Sequence, residues 1–260
     1  MALALTVELL MIDPHSHRAF QAHAAISRGA APAGVTIVKS TAYRGDAPLL
    51  AIWGPGHPSR FEPMRRQMAS GGHVLAMDLG YWDRGQKFRV SIDGPHPQAW
   101  VMRRAMPSDR FVADRVRQDD LWDPSGPVII AGLGEKARTQ YGADIIDAWE
   151  SEQADAVRAA GRQVVYRAKK SSTTPIEDAL RGASALITWH SNTAVDAIRL
   201  GVPVVCRDGA AAAICASTYD PHLRPLQVGL RDQFLANLAW FQWAPHETTA
   251  MWHWLREVLA

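Results

Sequence analysis

The sequence predicts an α/β protein with two lobes, each built on a parallel sheet that helices cover. Short apolar runs alternate with amphipathic stretches, and this alternation occurs twice along the 260 residues. A turn-rich segment, "DDLWDPSGP" at 119–127, separates the two series. Strands that alternate with helices form parallel sheets with both faces covered, so each series predicts one Rossmann-like lobe.

The front lobe is predicted to span residues 1–118. Apolar runs bounded by turn residues predict its strands at "VELLMID", "VTIVKS", "APLLAIWG" and "HVLAMDLGY". The alternating pattern of "KFRVSIDG" predicts an edge strand or a hairpin arm. Helices are predicted at "HRAFQAHAAISRG", which Gly29 ends, and at "PSRFEPMRRQMASGG", where Pro58 lies in the first turn.

The second lobe is predicted at 128–245, after the 119–127 linker. Strands are expected at the start of "VIIAGLGEKARTQYG" and at "QVVYRAK", "ALITW" and "VPVVC". Helices are expected at "DIIDAWESEQADAVRAAG", "PIEDALRGA" and "AVDAIRLG". Residues 246–260 are expected to form a C-terminal helix that could pack back on the first lobe.

Composition and charge restrict the class of protein. The sequence contains no run of about 18 apolar residues, so it predicts no membrane span. The apolar N-terminus contains Glu8 and lacks a basic segment, which favours a buried strand over a signal peptide. Two cysteines do not form a disulfide framework, so a cytoplasmic protein is expected. The net charge is +2, with the basic excess in the front lobe, which could face a polyanion.

The stretch "ALITWHSNTAVDAIRLGVPVVC" at 185–206 contains the first candidate site. It predicts a strand, a polar corner at His190, Ser191, Asn192 and Thr193, a helix and a second strand. In open α/β sheets ligands bind at the carboxyl ends of strands, where backbone N–H groups of the next helix attract anions. Two interpretations stay open, because Ser, Asn and Thr are also preferred helix caps.

A second loop strengthens the anion interpretation. "GLGEK" follows the first strand of the same lobe, and Gly132 and Gly134 permit close approach to the backbone. The spacing matches neither a dinucleotide-binding nor a Walker A motif. Positive charge for a phosphate could come from side chains near these strand ends, for which a solvated surface is the alternative: Lys136, Arg138, Arg167 and Lys169.

The segment "ASALITWHSNTAVDAIRLGVPVVCRDGAAA" resembles the donor-binding region of GT-B-fold glycosyltransferases. The similarity is strongest to capsular-polysaccharide-type enzymes and their small phage-encoded relatives. "DLGYWDRGQKFRVSIDGPHPQA" and "FLANLAWFQWAPHET" add to it. The resemblance implies two Rossmann-like lobes that face each other across a cleft, with the donor on the second lobe and the acceptor on the first.

The resemblance also implies the donor and its binding residues. The donor would be a nucleotide sugar, with a UDP-sugar favoured, and the reaction would need no metal or other cofactor. Residues 190–193 match the turn near the donor phosphates, and Gly132 and Gly134 match the glycine loop. Asp196 stands where many relatives have a glutamate that binds a donor hydroxyl, and its shorter side chain weakens that match.

Glycosyl transfer needs a base for the acceptor hydroxyl, and we expect the base in the front lobe. Asp78 ranks first, although an ion pair with Arg84 or another basic residue is an alternative. Asp13 ranks second and His57 third, because both follow predicted strands. The run "DPHSH" offers Asp13, His15 and His17 as metal ligands, but a capped helix start explains it better.

Acceptor recognition is predicted at Trp53, Trp82 and Arg84, near strand ends of the front lobe. Aromatic rings there could stack on a sugar or a base. The favoured acceptor is a 5-hydroxymethylpyrimidine in double-stranded phage DNA, in the host cytoplasm. The alternatives are a surface polysaccharide or lipid-linked sugar, and a non-catalytic module that binds a nucleotide sugar or DNA. The sequence leaves the oligomeric state open.

Overall fold

The computed structural model describes residues 5–12, 16–169 and 173–260. The chain forms two compact units, the first made of Met1–Pro97 and Phe241–Ala260 and the second of Gln98–Trp240. Residues 98–118 belong with the second unit and residues 241–245 with the first, so these unit boundaries do not coincide with the predicted lobe boundaries. Each unit has its own sheet, and the predicted α/β class is confirmed.

The sheet of the first unit is mixed. Its strands are β1 (Leu5–Leu10), β2 (Val35–Ser40), β3 (Leu49–Trp53), β4 (His73–Leu79), β5 (Phe88–Ile92) and β10 (Gln242–Trp243). Their order is β10-β5-β4-β3-β1-β2. The four strands β1 to β4 pair in parallel, whereas β4 with β5 and β5 with β10 pair antiparallel.

Strand β5 corresponds to the segment "KFRVSIDG", which was predicted to be either an edge strand or a hairpin arm. It forms a hairpin arm with β4, as one alternative predicted, and the edge-strand alternative is wrong because β10 lies outside it. All five residues of β5 are buried, including Arg89 and Ser91. Both side chains form hydrogen bonds in the unit: Arg89 Nη2 donates to Asp78 Oδ2 at 3.3 Å, and the Ser91 hydroxyl donates to Gly94 O at 2.7 Å.

The described helices of the first unit are α1 (His17–Ala30), α2 (Pro58–Ala69) and α9 (Thr248–Leu259), with a 3-10 turn at Ala31–Ala33. The C-terminal helix α9 packs on α1. Thr248 and Trp252 donate side-chain hydrogen bonds to carbonyls of α1, both at 2.9 Å. A Cβ atom on Gly29 would lie 2.4 Å from the Thr248 hydroxyl, so the two helices approach closely because residue 29 is glycine.

The sheet of the second unit is parallel throughout. Its strands are β6 (Val128–Ala131), β7 (Val164–Arg167), β8 (Ala185–Thr188) and β9 (Val204–Cys206), in the order β7-β6-β8-β9. The described helices of this unit are α3 (Asp109–Ala113), α4 (Glu135–Tyr141), α5 (Ala143–Ala159), α6 (Ile176–Leu180), α7 (Thr193–Arg199) and α8 (Val228–Ala239), with a 3-10 turn at Ala210–Ala213.

The core of the second unit explains why its short strands are stable. Ile130, Ile187 and Val205 come from three adjacent strands and pack with Ile146 and Trp149 of α5. All three strand residues are at most 1% exposed. Burial of each such side chain contributes about 1.5–3 kcal/mol, which holds the loops at the strand ends in place.

Both sheets contain a topological switch point. In the first, the chain passes from β1 to β2 on one side and then to β3 on the other; in the second, β6 lies likewise between β7 and β8. Ligands of open α/β sheets bind outside the carboxyl ends of the strands at such a point. The switch points therefore lie between β1 and β3 and between β6 and β8.

Within the described parts of the chain, no helix combines the length and apolar character that crossing a membrane requires.

Candidate functional site

The polar corner, His190–Thr193, lies where the sequence predicts it. Strand β8 ends at Thr188 and α7 begins at Thr193, so the corner follows one of the two strands that flank the switch point of the second unit. The glycine loop, Gly132–Gly134, follows the other strand, β6. Because β6 and β8 are hydrogen-bonded neighbours, the two loops lie side by side.

A buried hydroxyl joins the two loops. The Thr188 side chain is inaccessible to solvent and donates to Ala131 O at 3.1 Å, across the carboxyl ends of β8 and β6. The Thr188 Oγ1 atom in turn accepts from Ser191 N at 3.4 Å. The position of the corner backbone is therefore tied to the end of β6.

Of the polar side chains of the corner, Ser191 accepts a hydrogen bond from the first turn of α7. The Ser191 hydroxyl accepts from Thr193 N at 3.3 Å, while Asn192 occupies the cap position without a side-chain cap bond. The Thr193 hydroxyl oxygen is buried, and within the described residues it has no hydrogen-bond partner. The capping interpretation thus accounts for Ser191 but not for the Thr193 hydroxyl.

Tyr141 and Gly209, which no sequence motif indicated as site residues, contact His190. The rings of Tyr141 and His190 lie 5.2 Å apart, and the Tyr141 hydroxyl donates to Asp208. Gly209 has a φ of 94°, and a Cβ atom there would lie 3.2 Å from His190 O. These contacts join the loop after β9 to the corner. In the sequence, Asp208 and Gly209 of this loop are part of the "DGAAA" run, which forms part of the resemblance described above.

The two glycines of the loop make room for side chains. A Cβ atom on Gly132 would lie 2.3 Å from the Tyr166 hydroxyl, and one on Gly134 would lie 3.2 Å from Lys169 Cδ. Tyr166 donates to Glu150 at 2.7 Å. Burial, followed by this hydrogen bond, raises the pKa of Tyr166 to about 12, so the phenol is neutral at physiological pH. Gly132 therefore has a packing function whether or not a ligand binds.

A cavity of about 610 Å³ opens beside the glycine loop, and we call it the α4 cavity. Two residues predicted to bind the donor, Gly134 and Lys169, line it together with Arg138. Arg138 pairs with Asp147 at 2.5 Å. The remaining lining residues are Leu133, Glu135, Thr139, Gly142, Ala143 and Ala168.

The other predicted donor residues have different surroundings. Lys136 is exposed on α4 and does not line the α4 cavity. Arg167 ends β7, and its guanidinium donates to Thr174 O at 2.7 Å. The Asp196 side chain is 8% exposed and pairs with Arg199 at 3.3 Å. This burial leaves little room for a donor hydroxyl, so the role expected of Asp196 has no support from its position.

In the first unit, Asp78 forms an ion pair. Asp78 and Arg89 are register partners on β4 and β5, and Arg89 Nη2 lies 3.3 Å from Asp78 Oδ2. The alternative of a basic partner is thus observed, with Arg89 in place of Arg84. Arg89 is buried, contacts the Tyr81 ring and lies 2.7 Å from His96 Nδ1.

His57 follows β3 and caps α2. Its Nδ1 atom accepts from Ser59 N at 3.3 Å, which in the neutral ring places the proton on Nε2. His57 could act as a base only after releasing this backbone donor. Asp13 and His15 lie outside the described residues. Ser16 caps α1 by accepting from Ala19 N, which agrees with a capped helix start at "DPHSH".

A smaller cavity, about 140 Å³, lies near the start of α1, and we call it the α1 pocket. Two residues predicted to bind the acceptor, Trp53 and Arg84, line it. Trp82 does not, and with 9% exposure it lacks an open ring face for stacking. The other lining residues include three basic side chains and, as far as the chain is described, no carboxylate: His17, Arg18, Gln21, Ala22, Leu79, Gly85, Gln86, Lys87, Phe88 and Pro245.

A metal site does not emerge from the described ranges 5–12, 16–169 and 173–260. No group of three or more His, Cys, Asp or Glu residues within them could hold an ion. The expectation that the reaction needs no metal stays a prediction.

The chain has a fold that is found in glycosyltransferases. A structure of Thermosulfurimonas dismutans KpsC, the β Kdo 2,4 transferase, matches with a TM-score of 0.51 and 10% identity over 90% of each chain. A second, the β Kdo 2,7 transferase of the same protein, matches with a TM-score of 0.54 and 13% identity over 97% of this chain and 99% of that one. At such identities the similarity shows the fold alone. No family model and no curated protein matches the sequence.

Proposed function

We propose that the protein is a glycosyltransferase of the GT-B type, with a nucleotide-sugar donor on the second unit and a saccharide acceptor on the first. The proposal includes the GT-B arrangement, in which two lobes face each other across a cleft. Its support is the fold shared with the two Kdo transferases over at least nine-tenths of the chain, together with the loops at the switch point of the second unit.

The observation that carries the proposal is the pairing of the polar corner with the glycine loop. Both follow neighbouring strands at a switch point, and the Thr188 hydroxyl joins them. Backbone N–H groups and small side chains at such a place bind phosphate without a large protein movement. We assign the donor diphosphate to these two loops, with Lys169 and Arg138 as nearby cations, and keep a UDP-sugar as the favoured donor.

The proposed reaction needs one proton acceptor and one place for negative charge. The bond between the anomeric carbon and the phosphate oxygen breaks, and the nucleotide leaves with the bonding electron pair. The acceptor oxygen bonds to the same carbon and gives its proton to a base. Backbone N–H groups of the corner would stabilise the charge on the departing phosphate, in line with the predicted reaction without a metal.

We do not assign the base to Asp78, because its side chain points away from the α1 pocket. Successive side chains of a strand point to opposite faces of the sheet. Leu79 lines the α1 pocket, and so does its register partner Phe88. Asp78, one residue before Leu79, therefore points to the other face, where it meets Arg89.

We place the base at His17, which lines the α1 pocket from the first turn of α1. Its Nε2 atom lies 2.9 Å from Gln21 Nε2. A side-chain amide can rotate and present either its NH₂ group or its oxygen, so Gln21 can orient the imidazole in either protonation state. Asp13 precedes this turn in the sequence and stays a predicted alternative.

The acceptor proposal departs from the DNA hypothesis. The similar structures give no support to a hydroxymethylpyrimidine acceptor, whereas the two described above are named as Kdo transferases. The basic lining of the α1 pocket favours an acceptor that carries a carboxylate or phosphate. We therefore propose an anionic saccharide, on a surface polysaccharide or a lipid-linked sugar, as the acceptor.

The decisive test is a thermal-shift screen of nucleotide sugars, followed by a transfer assay with the donor that binds. A ligand of the folded state raises its stability by about 2.7 kcal/mol at 100 times its Kd. We expect one nucleotide class to raise the melting temperature and to be consumed when an anionic oligosaccharide is added. If no nucleotide sugar shifts the melting temperature, the proposal fails.

The acceptor has its own test. A gel-shift titration with hydroxymethylated DNA at several salt concentrations runs beside the transfer assay, because phosphate contacts weaken steeply with salt. We expect neither a specific complex nor transfer to the DNA. Sugar transfer to hydroxymethylated DNA would restore the DNA hypothesis.

A further inference from the structure

A third cavity of the second unit, about 200 Å³ in volume, lies at the opposite end of the sheet from the donor loops. Ser184 immediately precedes β8, and Arg162 lies two residues before β7, so the cavity opens at the amino ends of these parallel strands. Strand β8 lies between this cavity and the polar corner, and its four residues span about 13 Å. We call it the Trp122 pocket.

Ser184 lines the Trp122 pocket and has a buried hydroxyl that forms no hydrogen bond within the described residues. Ser184 is 6% exposed, and its Oγ atom has no hydrogen-bond partner among the described residues. Such a group is costly, because a buried hydroxyl normally forms at least one hydrogen bond. A ligand in the pocket could supply the missing bond.

Two arginines line the same pocket. The Arg224 guanidinium lies over the Trp122 ring, 5.6 Å from its centroid, and Trp122 Nε1 donates to Ser184 O at 3.1 Å. A guanidinium within about 6 Å of an indole centroid is attracted to the ring, which favours this position of the Arg224 side chain. Arg162 donates to Pro124 O, and Arg224 donates to Leu223 O at 3.0 Å. Each of these bonds uses one nitrogen of a side chain with five N–H donors.

The lining includes one carboxylate. Asp220 Oδ1 accepts from His222 N at 2.7 Å, so this carboxylate has a backbone donor. The lining therefore has two positive charges and one negative charge, and it suits a single anionic group. Tyr219 adds an aromatic side chain with a hydroxyl; the remaining lining residues are Pro124, Ala185, Pro221 and Leu223.

We propose that the Trp122 pocket binds a sugar ring that carries one anionic group, at a site separate from the donor loops. The volume equals that of about six or seven water molecules, which is enough for one pyranose unit. The two arginines bind the anion, and the Ser184 hydroxyl bonds to the sugar. The assignment to a saccharide, as opposed to another small anion, rests on the proposed function.

The test is a binding titration of the full chain with four probes: glucuronate, glucose 1-phosphate, glucose and inorganic phosphate. The first two distinguish a carboxylate from a phosphate on the ring. We expect at least one of them to bind about tenfold more tightly than both glucose and phosphate, because the ring and the anion are then recognised together.

Three variants locate the binding. Arg224→Gln and Ser184→Ala are each expected to weaken the anionic sugar about fivefold or more. Arg158→Gln changes an exposed arginine of α5 that pairs with Asp155 outside the pocket, and it should leave the affinity unchanged. Ser184→Ala should also keep or raise the melting temperature, because it removes an unpaired buried hydroxyl.

The outcomes separate this proposal from the proposed function. Nucleotide-sugar thermal shifts on the same samples should be unaffected by Arg224→Gln and Ser184→Ala. If neither anionic sugar binds at about 10 mM, or if binding persists in both variants, the Trp122 pocket proposal fails while the donor site stands. A melting temperature that falls in Ser184→Ala would also contradict it, since the hydroxyl would then have a structural partner.

Discussion

The two sheets share one parallel order, β2-β1-β3-β4 in the first unit and β7-β6-β8-β9 in the second, yet their carboxyl ends differ in chemistry. In the second unit, glycines and small hydroxyl side chains follow the switch-point strands at 132–134 and 190–193. In the first unit, long basic and aromatic side chains line the α1 pocket. The same topology therefore places short loops with small side chains at one sheet and long side-chain donors at the other.

This difference suggests a division of tasks within the proposed transferase. Backbone N–H groups bind any diphosphate in much the same way, because their positions follow from the fold. Long side chains such as Arg84 and Lys87 can be exchanged without changing the fold, so they suit the recognition of one particular acceptor. The comparison predicts that first-unit variants change acceptor use and second-unit variants change donor binding.

The largest effect is expected at His17. Replacement of a general base lowers turnover about 100-fold or more, so His17→Asn should reduce kcat by this factor. His57→Asn is the matched control, because asparagine can still cap α2. Steady-state kinetics with a saturating donor would show it. Equal turnover in the two variants would contradict the assignment of the base.

The second effect is acid sensitivity of the first unit. Burial, and then the charges of Lys39 and Arg60, lower the pKa of His23 from 6.5 to about 4. A His whose folded pKa is lowered stabilises the fold above its unfolded pKa, and this contribution decreases as the pH falls from 6.5 towards 4. Between pH 6.5 and 5 the loss is about 1.5 kcal/mol.

Hydrogen exchange of α1 amides in wild type and His23→Gln would measure this loss. The wild type should lose protection of α1 on acidification, whereas the variant should change much less. Identical pH dependence in the two proteins would show that His23 does not titrate with folding.

The third effect concerns Gly209, whose φ is positive and whose Cβ position lies against His190. Gly209→Ala should displace the polar corner and weaken the donor about tenfold. Gly161→Ala is the control, because Gly161 also has a positive φ, 71°, but no atom of the described residues lies near its Cβ position, within 4 Å. Gly161→Ala carries about 1–2 kcal/mol of backbone strain. Gly209→Ala carries about 1–3 kcal/mol, because its φ of 94° and ψ of −179° lie in a region that essentially only glycine adopts. Donor titration should therefore separate them although both lose stability.

The fourth effect tests the first unit alone. Arg84→Gln should raise the acceptor KM about fivefold, because one charged hydrogen bond is lost, and leave the donor affinity unchanged. Arg65→Gln serves as control, since Arg65 is an exposed residue of α2 that pairs with Glu62. A change in donor affinity with an unchanged acceptor KM would reverse the proposed division of tasks.

The smallest effect compares two threonines of the second unit. Thr193→Val removes a buried hydroxyl without a described partner, so stability should hold while donor affinity falls about threefold. Thr188→Val removes the bond to Ala131 O and should cost about 1–3 kcal/mol of stability. Denaturant unfolding and donor titration of both would check it. A stability loss in Thr193→Val would favour the plain capping interpretation.

Local patterns in the sequence were sufficient to place the polar corner. An apolar strand, four polar residues and an amphipathic helix follow one another in "ALITWHSNTAVDAIRL", and each is recognisable within a few residues. The glycine loop was placed for the same reason. That the two loops are neighbours depends on the strand order, which no local pattern contains.

The features that local sequence patterns did not predict depend on contacts between residues far apart in the chain or on neighbouring strands. The face to which Asp78 points follows from its pairing with Arg89, eleven residues later on the neighbouring strand. Strand β10 has only two residues, "QW", so its place beside β5 gave no periodic signal. Trp82 was expected to be open to a ligand, but tertiary packing buries it.

The most direct test of the central claim is a titration of the ¹⁵N-labelled protein with UDP, GDP and CMP, followed by amide chemical shifts. We predict that at least one nucleotide shifts the amides of Gly132, Gly134 and Ser191 to Thr193 more than those of any other part of the second unit. If all three nucleotides leave these amides unchanged at about 1 mM, or shift only amides around the Trp122 pocket, the donor site does not lie at the polar corner and glycine loop.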